Sequence, residues 1–123
     1  MRIETLTIVG VRLIGSSVGL AAKRRGVARR VIGVGRRQQS LDEAATRGVI
    51  DERYLDLASA ARRADVVLVC TPVDQIAEQV VAAAAVCEPG TLLIDAGSTK
   101  AAIVDAVEDS LPRGLSLDRK SVV

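Results

Sequence analysis

Short runs of β-branched residues alternate with longer Ala-rich stretches along this chain, and that alternation sets the expected architecture. Leu6-Thr7-Ile8-Val9 predicts a strand ending at Gly10. A helix over residues 14–25 follows, with Val18, Ala21 and Ala22 on one face and Gly26 at its C′ position. Lys23, Arg24 and Arg25 crowd its last turn, where the helix dipole favours cations. Val31-Ile32-Gly33-Val34 predicts a second strand. Ser40 and Glu43 have the spacing of a capping box, opening a helix that Gly48 closes. A helical turn over residues 57–63 leads into Val66-Val67-Leu68-Val69-Cys70, the most apolar strand of the chain. Thr71-Pro72 reads as an N-cap followed by Pro at the first helical position, with a helix over residues 73–86. Thr91-Leu92-Leu93-Ile94 is the next strand, residues 98–109 the next helix, and Pro112 ends it.

The strands are unbroken apolar runs rather than alternating ones, as expected when a parallel sheet is covered on both faces. Strand and helix in strict succession argue a doubly wound, Rossmann-type α/β fold with a mostly parallel sheet and helices on both faces. Residues 1–112 are expected to form one nucleotide-binding domain, and residues 113–123 a divergent or truncated tail.

Composition then narrows the chemistry. The 123 residues carry 17 Lys+Arg against 15 Asp+Glu, a formal net charge of +2, which gives nucleic-acid binding no electrostatic advantage. Tyr54 is the only aromatic residue, so a base-stacking platform is excluded as well. There is no histidine, which removes imidazole acid–base chemistry and the commonest metal ligand; no metal site is expected. Cys70 and Cys87 lie in apolar surroundings without ligand spacing and read as small buried hydrophobes. No signal peptide is evident, and no run approaches the roughly 20 apolar residues of a membrane span. A cytoplasmic protein that binds neither membrane nor nucleic acid is the expectation.

Val9-Gly10-Val11-Arg12-Leu13-Ile14-Gly15 occupies the place of a dinucleotide fingerprint, after the first strand and opening the first helix. The first glycine of such a turn makes the bend, the second admits the pyrophosphate, and the third lets helix and strand pack closely. Gly10 and Gly15 fill the first and third places, whereas the second is Arg12, which either pairs with a phosphate or crowds the groove. After the second strand, an NAD-binding chain offers Asp or Glu to the ribose. Here Gly35-Arg36-Arg37 offers two arginines and no acid, the chemistry that suits a 2′-phosphate. NADP is therefore expected in preference to NAD.

The stretches Thr7–Gly10 and Leu13–Leu20, Val31–Arg37, Cys70–Ile76 and Asp95–Lys100, in this order, resemble the nucleotide-binding domain of prephenate and arogenate dehydrogenases. The resemblance covers about residues 3–112, and its last two motifs are not shared by Rossmann domains in general. It implies an NAD(P)-dependent oxidative decarboxylation in tyrosine biosynthesis, acting on prephenate or arogenate. By position it implies that Gly10, Arg12, Leu13, Ile14 and Gly15 hold the pyrophosphate and that Gly35, Arg36 and Arg37 face the adenosine ribose. Thr71, Pro72, Val73 and Gly97 would line the cofactor's other end, and Ser98 would lie on the substrate side or cap the last helix.

Arg12 and Ser16 replace glycines usual in that family. The pattern breaks off after Arg113, where the family carries a catalytic histidine, and the following helical domain, which supplies the homodimer contacts, is not in this sequence. The chain is thus expected to hold cofactor without turning substrate over. Two alternatives stay open: a stand-alone nucleotide-binding or interaction module, and a reductase of the pyrroline carboxylate or imine type.

Overall fold

The computed structural model describes residues 3–11, 13–62, 64–71, 73–88, 90–95 and 121–122. The helix expected over residues 98–109 lies outside them. Among the described residues six strands form one sheet in the order β3-β2-β1-β4-β5-β6, and every neighbouring pair is parallel. They are β1 (Ile3–Val9), β2 (Ala28–Val34), β3 (Glu52–Tyr54), β4 (Val66–Val69), β5 (Leu92–Asp95) and β6 (Ser121–Val122). Among the described residues four helices connect the first five strands: α1 (Leu13–Arg24), α2 (Gln38–Thr46), α3 (Leu57–Ala61) and α4 (Val73–Val86). The order reverses direction at β1, with β2 and β3 on one side and β4 and β5 on the other.

The apolar runs are continuous because both faces of the sheet are covered. Leu6, Ile8, Val31, Leu68 and Ile94 pack under Val18 and Ala22 of α1 and Leu41 and Ala44 of α2. Val9, Ile32, Val67, Val69 and Leu93 pack on the opposite face under Ala60 and Ala61 of α3 and Ala83 of α4. Each fully buried Leu or Ile contributes about 1.5–3 kcal/mol, so the central strands dominate the stability. The polar residues caught in this core are satisfied. Thr7 Oγ1 donates to the Ala60 carbonyl and Thr91 Oγ1 to the Ala64 carbonyl, each at 3.0 Å, while Thr5 Oγ1 accepts from Arg30 at 3.3 Å.

Both predicted glycine stops hold. At the end of α1, Gly26 N–H donates to the Lys23 carbonyl and Val27 N–H to the Ala22 carbonyl; at the end of α2, Gly48 and Val49 repeat the pattern on Ala45 and Ala44. Both glycines have positive φ, as this helix stop requires.

Two local expectations change, and one strand is added. The second helix begins at Gln38 with Arg37 at its N-cap and no side-chain cap, so Ser40 lies inside the first turn and the capping box does not form. Thr71 does not cap α4, because its hydroxyl has no hydrogen-bond partner among the described residues. The sequence does not announce β3; its Glu-Arg-Tyr carries no run of Val, Ile or Leu, and parallel pairing with Ile32–Val34 makes it a strand.

Candidate functional site

The carboxyl ends of β1, β2 and β4 meet through backbone hydrogen bonds. Gly10 N–H donates to the Val34 carbonyl at 2.8 Å, and Cys70 N–H donates to the Val9 carbonyl at 2.7 Å. Gly35 N–H donates to the Tyr54 carbonyl at 3.3 Å, extending the row to β3. The loops that leave these strands therefore start side by side, at the point where the strand order reverses. In doubly wound sheets that is the ligand crevice.

Gly10 turns the chain with φ +95°, and a Cβ there would lie 3.0 Å from the Cys70 carbonyl oxygen and 3.2 Å from Thr71 Cγ2. Gly15 is tighter still: a Cβ would stand 2.2 Å from the Gly10 carbonyl oxygen and 2.9 Å from Ile8 Cγ2. The first turn of α1 is thus pressed directly onto the glycine turn, which is the packing the third fingerprint glycine allows. Ser16 Oγ donates to the Val11 carbonyl at 2.8 Å and ties the helix back to the turn.

Around this turn, Arg36 and Arg37 are both exposed, and Gly35 is half-buried against Leu41. Arg37 makes no side-chain hydrogen bond or ion pair among the described residues, whereas Arg36 Nη2 donates to Gln75 Oε1 of α4 at 3.0 Å. No local sequence pattern marks Gln75, because its partner lies 39 residues away in the chain. Thr71 stands against Gly10 with its hydroxyl oxygen buried and unpartnered. Burial pushes the Cys70 thiol up to about 12, so it stays protonated and serves as packing against the core, as read from its neighbours in the sequence. Neither cysteine is in a disulfide. Leu13, Ile14 and Val73 begin their helices, and nothing is described of their side chains; Arg12, Pro72, Gly97 and Ser98 lie outside the described residues.

These residues fit a dinucleotide. A backbone cradle that side chains would fill, with an orphaned buried hydroxyl beside it and a basic loop at its flank, suits an anionic pyrophosphate. No cluster of three or more potential metal ligands occurs among the described residues. No helix among them is long and apolar enough to cross a membrane. A separate shallow cavity of about 380 Å³ lined by Glu4, Arg29, Arg30 and Asp51 lies at the amino ends of β1 and β2, the opposite end of the sheet. Its charges are paired within the chain, Arg29 with Glu4 at 3.6 Å and Asp51 with Lys23.

Fold and site together define a Rossmann-type nucleotide-binding domain. Residues 18–117 match the family described as prephenate dehydrogenase, nucleotide-binding domain. The chain belongs to that family. It is 34% identical over 111 residues to the prephenate dehydrogenase of Bacillus subtilis (strain 168), covering 89% of this chain and 30% of that protein. Among solved structures it is similar to Synechocystis arogenate dehydrogenase, with a TM-score of 0.70 and 29% identity over 86% of this chain and 37% of that one. It is also similar to the prephenate dehydrogenase of A. aeolicus in complex with hydroxyphenyl propionate and NAD+, with a TM-score of 0.74 and 25% identity over 90% and 39% of the two chains. The chain spans about a third of the length of the curated relatives it matches. The family match begins inside α1, so the assignment of the turn before it rests on the geometry of Gly10 and Gly15.

Proposed function

We propose that this chain is the NADP(H)-binding part of a prephenate or arogenate dehydrogenase. One observation carries the reading: within a domain of this family, a glycine cradle that excludes side chains adjoins a loop with two arginines and no carboxylate. Gly10, Leu13, Ile14 and Gly15 present backbone to the pyrophosphate, with Arg12 beside it. Gly35 lets the chain turn past the ribose, and Arg36 and Arg37 bind its 2′-phosphate. Thr71, Pro72, Val73 and Gly97 bound the nicotinamide end, where the Thr71 hydroxyl gains the partner it lacks, and Ser98 stands on the substrate side.

When bound, the nicotinamide supplies a hydride acceptor for an oxidative decarboxylation. The cradle and the arginine pair bind and orient it. These 123 residues hold no histidine, so they position cofactor without supplying an imidazole to the substrate, and alone they turn over neither prephenate nor arogenate. Homodimer formation belongs to the whole dehydrogenase in the same reading.

Titration calorimetry with NADP and NAD tests the proposal. A phosphate held by exposed arginines is expected to give about tenfold tighter NADP, near 1.4 kcal/mol. NAD bound as tightly as NADP, or more tightly, overturns the arginine assignment, and prephenate turnover by the purified chain overturns its inactivity.

A further inference from the structure

The two arginines after β2 are not equivalent. Arg37 has no side-chain partner among the described residues, while Arg36 is bound to Gln75 in the first turn of α4. β2 and β4 flank β1 on opposite sides, so the Arg36–Gln75 hydrogen bond links the segments that follow the two strands beside β1, whose own loop starts at Gly10. Neighbouring strands lie about 4.8 Å apart, which makes the span about 10 Å. It joins a loop leading to α2 on one face with a helix that covers the other. The loops it links border the switch point of the sheet, where doubly wound folds take up a dinucleotide.

We propose that Arg36 and Gln75 form a latch across the nucleotide crevice, closed in the free chain and opened by the incoming dinucleotide. The inference rests on the cofactor reading above and adds Gln75 to it as the residue that sets the cost of entry. Either dinucleotide must separate the pair. NADP gives Arg36 a phosphate in place of the Gln75 carbonyl, with charge-assisted bonds stronger than the one lost. NAD gives it none, so the closed latch works against NAD. A neutral acceptor on an exposed arginine is a modest interaction, expected to change affinity about threefold.

Calorimetric titration of the 123-residue chain and three variants with NAD and with NADP tests the latch. Gln75→Leu removes the acceptor at similar volume and is expected to bind both dinucleotides about threefold tighter. Arg36→Ala opens the same latch from the other side: NAD should bind about threefold tighter while NADP weakens. The double variant R36A/Q75L should bind NAD no tighter than either single variant, because one bond is removed only once. Unchanged or weaker NAD binding by Gln75→Leu overturns the latch, as do NAD gains that simply add in the double variant. Absence of an NADP preference in the unsubstituted chain would overturn the arginine assignment and leave the NAD comparison intact. Binding of neither dinucleotide by any of the four proteins would overturn both.

Discussion

Gly15→Ala is the substitution in which sequence, packing and binding are most tightly joined. An added methyl would sit 2.2 Å from the Gly10 carbonyl oxygen, and ordinary contact at this position begins near 3.4 Å. The obstacle is backbone of the adjoining turn, so no rotamer change relieves it. α1 must withdraw by about 1.2 Å, lifting its start from the turn and from Ile8. Overpacking in a rigid site costs about 1–3 kcal/mol, and a backbone clash belongs at the upper end, near 3 kcal/mol. For a domain of this size that lowers Tm by about 10 °C.

Gly48→Ala separates packing from backbone strain. No atom lies within 4 Å of a Cβ there, but φ is +77°, and the left-handed conformation alone costs about 1 kcal/mol. Thermal melts followed by circular dichroism should therefore rank Gly15→Ala well below Gly48→Ala, with dinucleotide affinity falling only in the former. Equal melting temperatures for the two, or a Gly15→Ala protein within about 1 °C of the parent, would refute the close-approach argument.

Three further outcomes follow from the same geometry. Thr71→Val replaces a buried, unpartnered hydroxyl with a methyl of the same shape; it should raise the stability of the free chain by about 1 kcal/mol and weaken dinucleotide binding several-fold, which melts and calorimetry read separately. Burial works to raise the Asp51 carboxyl, but the Lys23 ammonium and the Val31 N–H outweigh it and hold it below the ordinary carboxylate value. Its stabilisation is thus present above that ordinary value and disappears as pH falls through the lowered one. Asp51→Asn should cost about 0.5 kcal/mol at neutral pH after solvent screening, and nothing in strong acid, by urea unfolding across pH. With a thiol near 12, only about one Cys70 in ten thousand is thiolate at pH 8, so alkylation should be far slower in the folded chain than in urea.

The parts of the fold readable from sequence are those where one physical signal dominates. β1, β2, β4 and β5 are buried on both faces, and that burial writes itself as runs of Val, Ile and Leu. Gly26 and Gly48 were legible because a left-handed helix stop favours glycine strongly. Ser40 and Glu43 misled because their spacing suits a capping box, whereas the chain is already helical from Gln38. At the site, Gly10 and Gly15 follow from their place between strand and helix, and Arg36 and Arg37 from their place after β2. Gln75 and the orphaned Thr71 hydroxyl were hidden. Their surroundings depend on which loops the topology brings together, and strand order is not written in any local pattern.

β3 has a consequence beyond completing that order. It closes one lateral border of the sheet, where unpaired backbone groups invite a strand from another molecule. Three residues expose few such groups, and the charges there are tied down: Glu52 to Arg30 at 2.9 Å and Arg53 to Asp42 at 3.1 Å. A border so short and so charged is a poor template for intermolecular growth. The same lack of an aliphatic run that concealed β3 in the sequence guards the chain against aggregation along that border.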